Sequence, residues 1–319
     1  MPDSIVATWT PPGPALEQLR TAGDLWVWPH DREIDSDILR RRIVDADGLL
    51  CAPTDRIDAD LIEVATKLRV ISSAAVDVDN IDLEACQRRG ISVGYTPDVL
   101  THSIADMAWA LLLATSRRLV EGVDQVRSGA WERRDANALA GSDVSGSTLG
   151  IVGMGEVGRA VAERSTGFGM SVSHVSNAYE RQVGERDRAR PAGFVDVLAG
   201  SDHVVVCVPR TEGTNRLIDA EALRVMKPTA SLVSVSPGGV VDLEALVEAL
   251  ESGQIRSAGL AFTDQDPLPA EHALVTLPNC TIVPDTAMAT DRTLRRMARL
   301  AVANLFAGLA GEPMSTEVV

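Results

Sequence analysis

Short β-branched and apolar runs alternate with stretches whose apolar positions recur every three or four residues, and the alternation holds for nearly the whole chain. The runs predict strands at 4–8, 48–51, 70–73, 148–153, 171–175, 203–208, 231–235, 257–260 and 280–283. The stretches between them predict helices, among them 15–22, 59–68, 157–167 and 243–252. Such alternation argues for parallel sheets with helices on both faces. One pattern is longer, a helix expected over about 103–126, with Thr101 or Ser103 as its cap. Around Trp109, Leu111, Leu112 and Leu113 it is apolar nearly all round, so it needs burial on more than one side. No internal repeat, low-complexity tract or Gly/Ser linker interrupts the chain.

A length of 319 residues suits about two domains, and 45% hydrophobic content is enough to build their cores. The longest apolar run, 107–115, falls short of the roughly 18 residues a membrane span needs. The opening MPDSIVATW lacks the basic and apolar regions of a signal peptide, so a cytoplasmic location is expected. A net charge of −15 repels nucleic acid and anionic membranes, and neither is expected as a partner. Cys51, Cys86, Cys207 and Cys280 form no CxxC pair, and the five histidines form no ligand cluster, so no metal is expected.

The chemistry enters at TLGIVGMGEVG, residues 148–158. An apolar strand runs into Gly153-Met154-Gly155-Glu156-Val157-Gly158 and on into a helix. Gly153 permits the tight turn, Gly155 lets the backbone approach a pyrophosphate, and Gly158 lets helix and strand pack closely. The helix N-terminus then offers free N–H groups to the phosphates. A lone GxGxxG is weak, but the strand before it, the helix after it and the next strand are all predicted here. At the end of that next strand, where an NAD enzyme carries an acid for the ribose, stand Ser176 and Asn177, with Arg181 beyond. No carboxylate repels a 2′-phosphate there and an arginine can reach it, so NADP is expected over NAD.

Several long segments, in order, resemble those of the D-2-hydroxyacid dehydrogenases: DNIDLEACQRRGISV, TPDVLTHSIADMAWALLLATSRR, TLGIVGMGEVGRAVA, LIDAEALRVMKPTASLVSVSPGGVVDLEALVEAL and RMARLAVANLFAGLAGEP. The resemblance covers nearly the whole chain. It implies an α/β fold in which a Rossmann dinucleotide-binding domain, 99–287, is inserted into a smaller flavodoxin-like substrate domain of 1–98 plus 288–319. It implies a homodimer formed through the long helix, and a small-molecule substrate. It also implies cofactor contacts from Thr101, Glu156, Val157, Cys207, Val208, Pro209, Thr214, Val235, Ser236, Pro237, Ala261, Asp285 and Met288, besides the loop glycines.

The chain departs from the family pattern where the family does its chemistry. An arginine that grips the substrate carboxylate is replaced by Pro237, the glutamate that orients the histidine by Asp266, and the proton-exchanging histidine by Asp285. Ala261 stands where an acid usually holds the nicotinamide amide, and Asp77 where a glycine-rich turn receives the substrate. The site gives up its cation and its neutral base and gains acids, which would repel a 2-keto carboxylate. The expected activity is an NAD(P)(H)-dependent oxidoreductase acting on a neutral or cationic C=O or C=N group, with Asp285 as proton donor beside Asp266 and Asp77. Asp77 and Asp285 are also compatible with exposed loop acids that have no task. Two alternatives stay open: a catalytically inactive dinucleotide-binding protein, and a 2-hydroxyacid dehydrogenase whose substrate cation has moved to a residue such as Arg210. His102, Tyr95 and Trp9 lie near the same cleft by analogy and receive no role.

Overall fold

The structure is a computed structural model that describes every residue except Met1, Asp31, Arg134, Ala136, 176–188 and Asp266. The chain divides into two compact units, Met1–Leu100 with Thr290–Val319, and Thr101–Ala289.

The first unit is built on a five-stranded parallel sheet in the order β2-β1-β3-β4-β5. Its strands are β1 (Ser4–Ala7), β2 (Asp24–Val27), β3 (Gly48–Cys51), β4 (Val70–Ser73) and β5 (Ser92–Gly94). The sequence pattern missed β2 and β5, which are short and only partly apolar. Helices flank the sheet, and the C-terminal helix Asp291–Ala310 returns to pack on β3, β4 and β5. Aspartates start its helices: the Asp35, Asp58 and Asp82 side chains accept from the backbone N–H of Asp37, Leu61 and Ala85. Part of the acidic composition is therefore helix capping. Asp55 is a buried exception, accepting from the Thr8 hydroxyl and from Ala52 N–H, and burial pushes its carboxyl up.

The second unit carries seven parallel strands in the order β12-β11-β10-β9-β6-β7-β8. They are β6 (Thr148–Val152), β7 (Ser171–Val175), β8 (Arg190–Pro191), β9 (His203–Val206), β10 (Ser231–Ser234), β11 (Ser257–Leu260) and β12 (Cys280–Ile282). The order reverses between β6 and β9, and in open α/β sheets the crevice at such a reversal is where ligands bind. At the amino ends of the strands, Lys227 Nζ (2.8 Å) and the Thr148 N–H (2.9 Å) and hydroxyl (2.7 Å) all donate to the Asp202 carboxylate. Beside it the buried His203 Nδ1 lies 2.7 Å from Ser231 Oγ and 3.2 Å from Ser116 Oγ, and burial lowers its pKa.

The single helix expected over 103–126 is two helices, Thr101–Ser116 and Leu119–Ser128. The carbonyl of Ser116 accepts from Ser142 N–H (2.8 Å), and Arg118 turns to φ +51° with its guanidinium clamped on Glu121. Neither expected cap operates. Thr101 is itself helical, and the Ser103 hydroxyl donates to Ala287 O at 2.6 Å. Trp109, Leu111 and Leu112 are buried within the unit, so that face of the helix is spent on its own core. Leu113 on the same helix is exposed, and further apolar exposure follows at Leu119, Val120, Val123, Val126 and Trp131.

Candidate active site

The apolar β6 delivers the chain to Gly153, whose φ of +100° is a conformation side chains rarely adopt. Its N–H donates to Val175 O at 3.0 Å, which fixes the turn against β7. Gly155 caps the helix Glu156–Ser165 with its backbone. One turn in, a Cβ at position 158 would lie 2.1 Å from Gly153 O, so only glycine permits this closeness of helix and loop. Arg159 Nη1 donates to Met154 O at 2.9 Å and ties the helix back to the loop. The cradle therefore fits a pyrophosphate: tight turn, close backbone and open helix N-terminus are all present. Glu156 is the first helical residue, exposed, and its Oε2 accepts from the Thr101 hydroxyl at 3.1 Å. Val157 follows it, half-buried. Ser176, Asn177 and Arg181 lie outside the described residues.

The facing wall comes from the end of β9. The Cys207 thiol donates to Gly153 O at 3.0 Å and so spans the sheet reversal. Val208 N–H donates to Ser236 Oγ at 2.9 Å, and that buried serine pins the loop after β10. Thr214 Oγ1 reaches back to Pro209 O at 2.6 Å, while Thr211 and Thr214 cap each other, which closes 209–214 into a hook. Sequence reading missed Thr211 and Arg159: the Thr211/Thr214 pair has the three-residue spacing of a reciprocal cap but opens only a single 3-10 turn with no apolar run behind it, and a side chain bonded to a loop carbonyl has no spacing signature. Arg210 leaves this hook exposed and rests against Gly239, two residues past Pro237.

Pro237 and Asp285 border one cavity of about 670 Å3, with Gly238, Phe262, Leu268 and Val283 among its other walls. Val235 is buried behind it. Asp285 is exposed, adopts φ +43°, and donates its N–H to Val283 O at 3.1 Å. It is the one carboxylate, and no lysine, arginine or histidine appears, among the described lining residues. Cys280 also lines the cavity, and burial pushes its thiol up to about 12, too high for nucleophilic use near neutral pH. Ala261 is fully buried in the core at the end of β11 and offers no polar side-chain atom there. Met288 is half-buried beside Ala287. Asp266 lies outside the described residues, although its neighbour Pro267 lines the cavity. Asp77 is exposed on the first unit. His102 is exposed on the rim of a separate groove that it shares with Thr101, Glu156 and Arg159. In the first unit, Tyr95 O accepts from Asn304 and Thr316, while Trp9 Nε1 is buried with no partner among the described residues.

Known proteins resemble this chain in sequence and in fold. Residues 109–287 match the family described as D-isomer specific 2-hydroxyacid dehydrogenase, NAD binding domain. The chain is 41% identical over 311 residues to a glyoxylate reductase of Thermococcus kodakarensis, covering 96% of this chain and 93% of that protein. It is 40% identical over 295 residues to the glyoxylate reductase/hydroxypyruvate reductase of Homo sapiens, covering 91% and 89% of the two. Among solved structures, a Thermus thermophilus protein superposes with a TM-score of 0.92 at 41% identity, covering 99% of this chain and all of that one. An NADPH-dependent glyoxylate/hydroxypyruvate reductase from Sinorhizobium meliloti, solved with NADP and malonate, gives 0.81 at 29% identity, covering 100% and 97%.

Proposed function

The chain belongs to the D-isomer specific 2-hydroxyacid dehydrogenase family, and on that premise we propose that it reduces a small neutral or cationic C=O or C=N group with NADPH, in a non-standard acidic site. The observation that carries this reading is the cavity shared by Pro237 and Asp285, whose described lining holds a carboxylate and no cation. An apolar, uncharged wall suits a neutral substrate, and the carboxylate suits a cationic one. A nicotinamide dinucleotide supplies the hydride when bound. Gly153, Gly155 and Gly158 hold its pyrophosphate at the helix N-terminus, flanked by Thr101, Glu156 and Val157. Cys207, Val208, Pro209, Thr214, Val235, Ser236 and Met288 would form its other contacts, while the buried Ala261 would only back that wall. Asp285 carries the proton and delivers it to the substrate oxygen or nitrogen, with Asp266 as its companion acid.

Ser176 and Arg181 favour NADPH over NADH, because no acid stands at the ribose and a guanidinium can pair with the 2′-phosphate. Ser176→Asp is expected to reverse the preference in a fluorescence titration. The exposed Leu119, Val123 and Val126, spaced four and three residues apart on one helix, support a homodimer, since apolar groups gathered on one face are characteristic of an interface. Sedimentation as a monomer at micromolar concentration would count against it.

A second reading keeps the reaction of the named relatives. Arg210 stands beside the loop where Pro237 replaces the family arginine, and a relocated guanidinium there would take a 2-oxo acid. One experiment separates the readings: NADPH oxidation against glyoxylate, hydroxypyruvate, neutral ketones and cyclic imines, repeated with Asp285→Asn and Arg210→Leu. Turnover of ketone or imine that Asp285→Asn abolishes supports the acidic site. Turnover restricted to the 2-oxo acids and lost with Arg210→Leu supports the relocated cation. Tight NADPH binding without turnover of any of these compounds leaves a dinucleotide-binding protein.

A further inference from the structure

Away from the dinucleotide edge, a cavity of about 540 Å3 lies where β11 and β12 begin, lined by Arg256, Ser257 and Asn279 among others. Ser257 is 4% exposed, and its hydroxyl has no hydrogen-bond partner among the described residues. Arg256 Nε is likewise buried without an acceptor, and its guanidinium makes no ion pair among the described residues. A buried ionised donor without an acceptor is costly, and native proteins keep such groups where something completes them. The backbone around them is committed: Arg256 N–H donates to Ala230 O at 2.9 Å, and Asn279 Nδ2 donates to Arg256 O at 3.1 Å. Residue 256 is therefore held in place while its side chain is unspent.

We propose that this cavity is a second small-molecule site, which binds a monocarboxylate bearing a short apolar tail. A carboxylate matches the donors: the guanidinium edge of Arg256 offers parallel N–H groups, and Ser257 supplies a hydroxyl. Charge selects a monoanion. Arg118 and Glu121 are both in the lining and already satisfy each other at 2.5 and 2.9 Å, and Glu251 also lines the cavity, so Arg256 is the one uncommitted cation among the described lining residues. A dianion would bring excess negative charge next to Glu251. Leu250, Leu277 and Pro278 offer the tail an apolar wall. Ser257 begins β11 and Ala261 follows its end, so the two sites lie about 13 Å apart along the strand at its usual rise per residue. The carboxylate and the dinucleotide can therefore be bound together.

Calorimetric titration of the full chain with acetate, butyrate and hexanoate, in the presence of NADPH, tests the assignment. Affinity is expected to rise from acetate to hexanoate. Arg256→Gln should raise the Kd for hexanoate at least tenfold and Ser257→Ala several-fold, while Arg210→Leu and Asp285→Asn leave it unchanged. Should Arg256→Gln fold poorly, Ser257→Ala decides alone. Unchanged affinity in both pocket variants, loss of binding in Arg210→Leu, or no hexanoate binding at millimolar concentration would overturn the proposal. Tighter binding of inorganic phosphate than of butyrate would overturn the choice of a monoanion.

Discussion

The guanidinium of Arg210 lies against Gly239: its Cζ is 2.9 Å from the point where a side chain on residue 239 would begin, and Gly239 takes a φ of +89°. The contact brings a positive charge to the loop that carries Pro237. If a substrate carboxylate meets this charge, Arg210→Leu should lower kcat/KM for glyoxylate by roughly 10- to 100-fold, the usual value of a charge-assisted hydrogen bond. A neutral ketone should be unaffected. Equal losses for both substrates would show that Arg210 serves the cofactor or the fold.

At position 158 the expected outcome is loss of both stability and cofactor. A methyl group there would press on Gly153 O from 2.1 Å, and the rigid atom is backbone. Gly158→Ala is expected to destabilise by about 3 kcal/mol, in the range of core overpacking. NADPH affinity should fall with it, because the same carbonyl shapes the loop. Gly167→Ala is the control, with no atom within 4 Å of its added Cβ. A urea midpoint for Gly158→Ala equal to that of the control would contradict the packing argument.

Glu156 favours its helix by its place in the first turn, yet it sets a negative charge beside the pyrophosphate cradle. Glu156→Gln should therefore tighten NADPH binding several-fold at low salt, with the gain shrinking at high ionic strength as screening sets in. A gain independent of salt, or a loss, would mean that the hydrogen bond from Thr101 matters more than the charge.

Acid stability should depend on Asp202. Burial alone would raise its carboxyl, but the hydrogen bonds from Lys227 and Thr148 hold it down at about 2, below its ordinary 3.8. The stabilisation is full above pH 4 and fades as pH falls toward 2, because the unfolded chain takes up the proton first. Asp202→Asn should lower the urea midpoint at pH 5 and make little difference at pH 2. A constant offset across that range would assign the effect to packing.

How much of this could be read beforehand follows the range of the interactions. Gly153 and Gly158 were legible because their tasks are local and their spacing is set by one turn of chain. The parallel sheets followed from strand–helix alternation. The break at Arg118 was not legible, since its cause includes Ser142, far along the chain, which takes the carbonyl of Ser116. The burial of Trp109 and Leu112 inside their own unit was equally hidden, because periodicity shows that a face is apolar and not what covers it. Pro237 and Asp285 were singled out by resemblance alone. That they border one cavity is a property of β10 and β12 ending on the same edge of the sheet.

The contact between Gly153 and Gly158 reaches beyond packing. Because the loop is wedged between β6 and its helix, and is also hydrogen-bonded by Cys207, its shape is set before any ligand arrives. A dinucleotide landing there has little backbone to order, so the association forfeits less chain entropy than one that must first fold its cradle. Discrimination between NADPH and NADH then rests with the adenosine ribose, the one place where they differ, while the pyrophosphate common to both is received by a rigid surface that treats them alike.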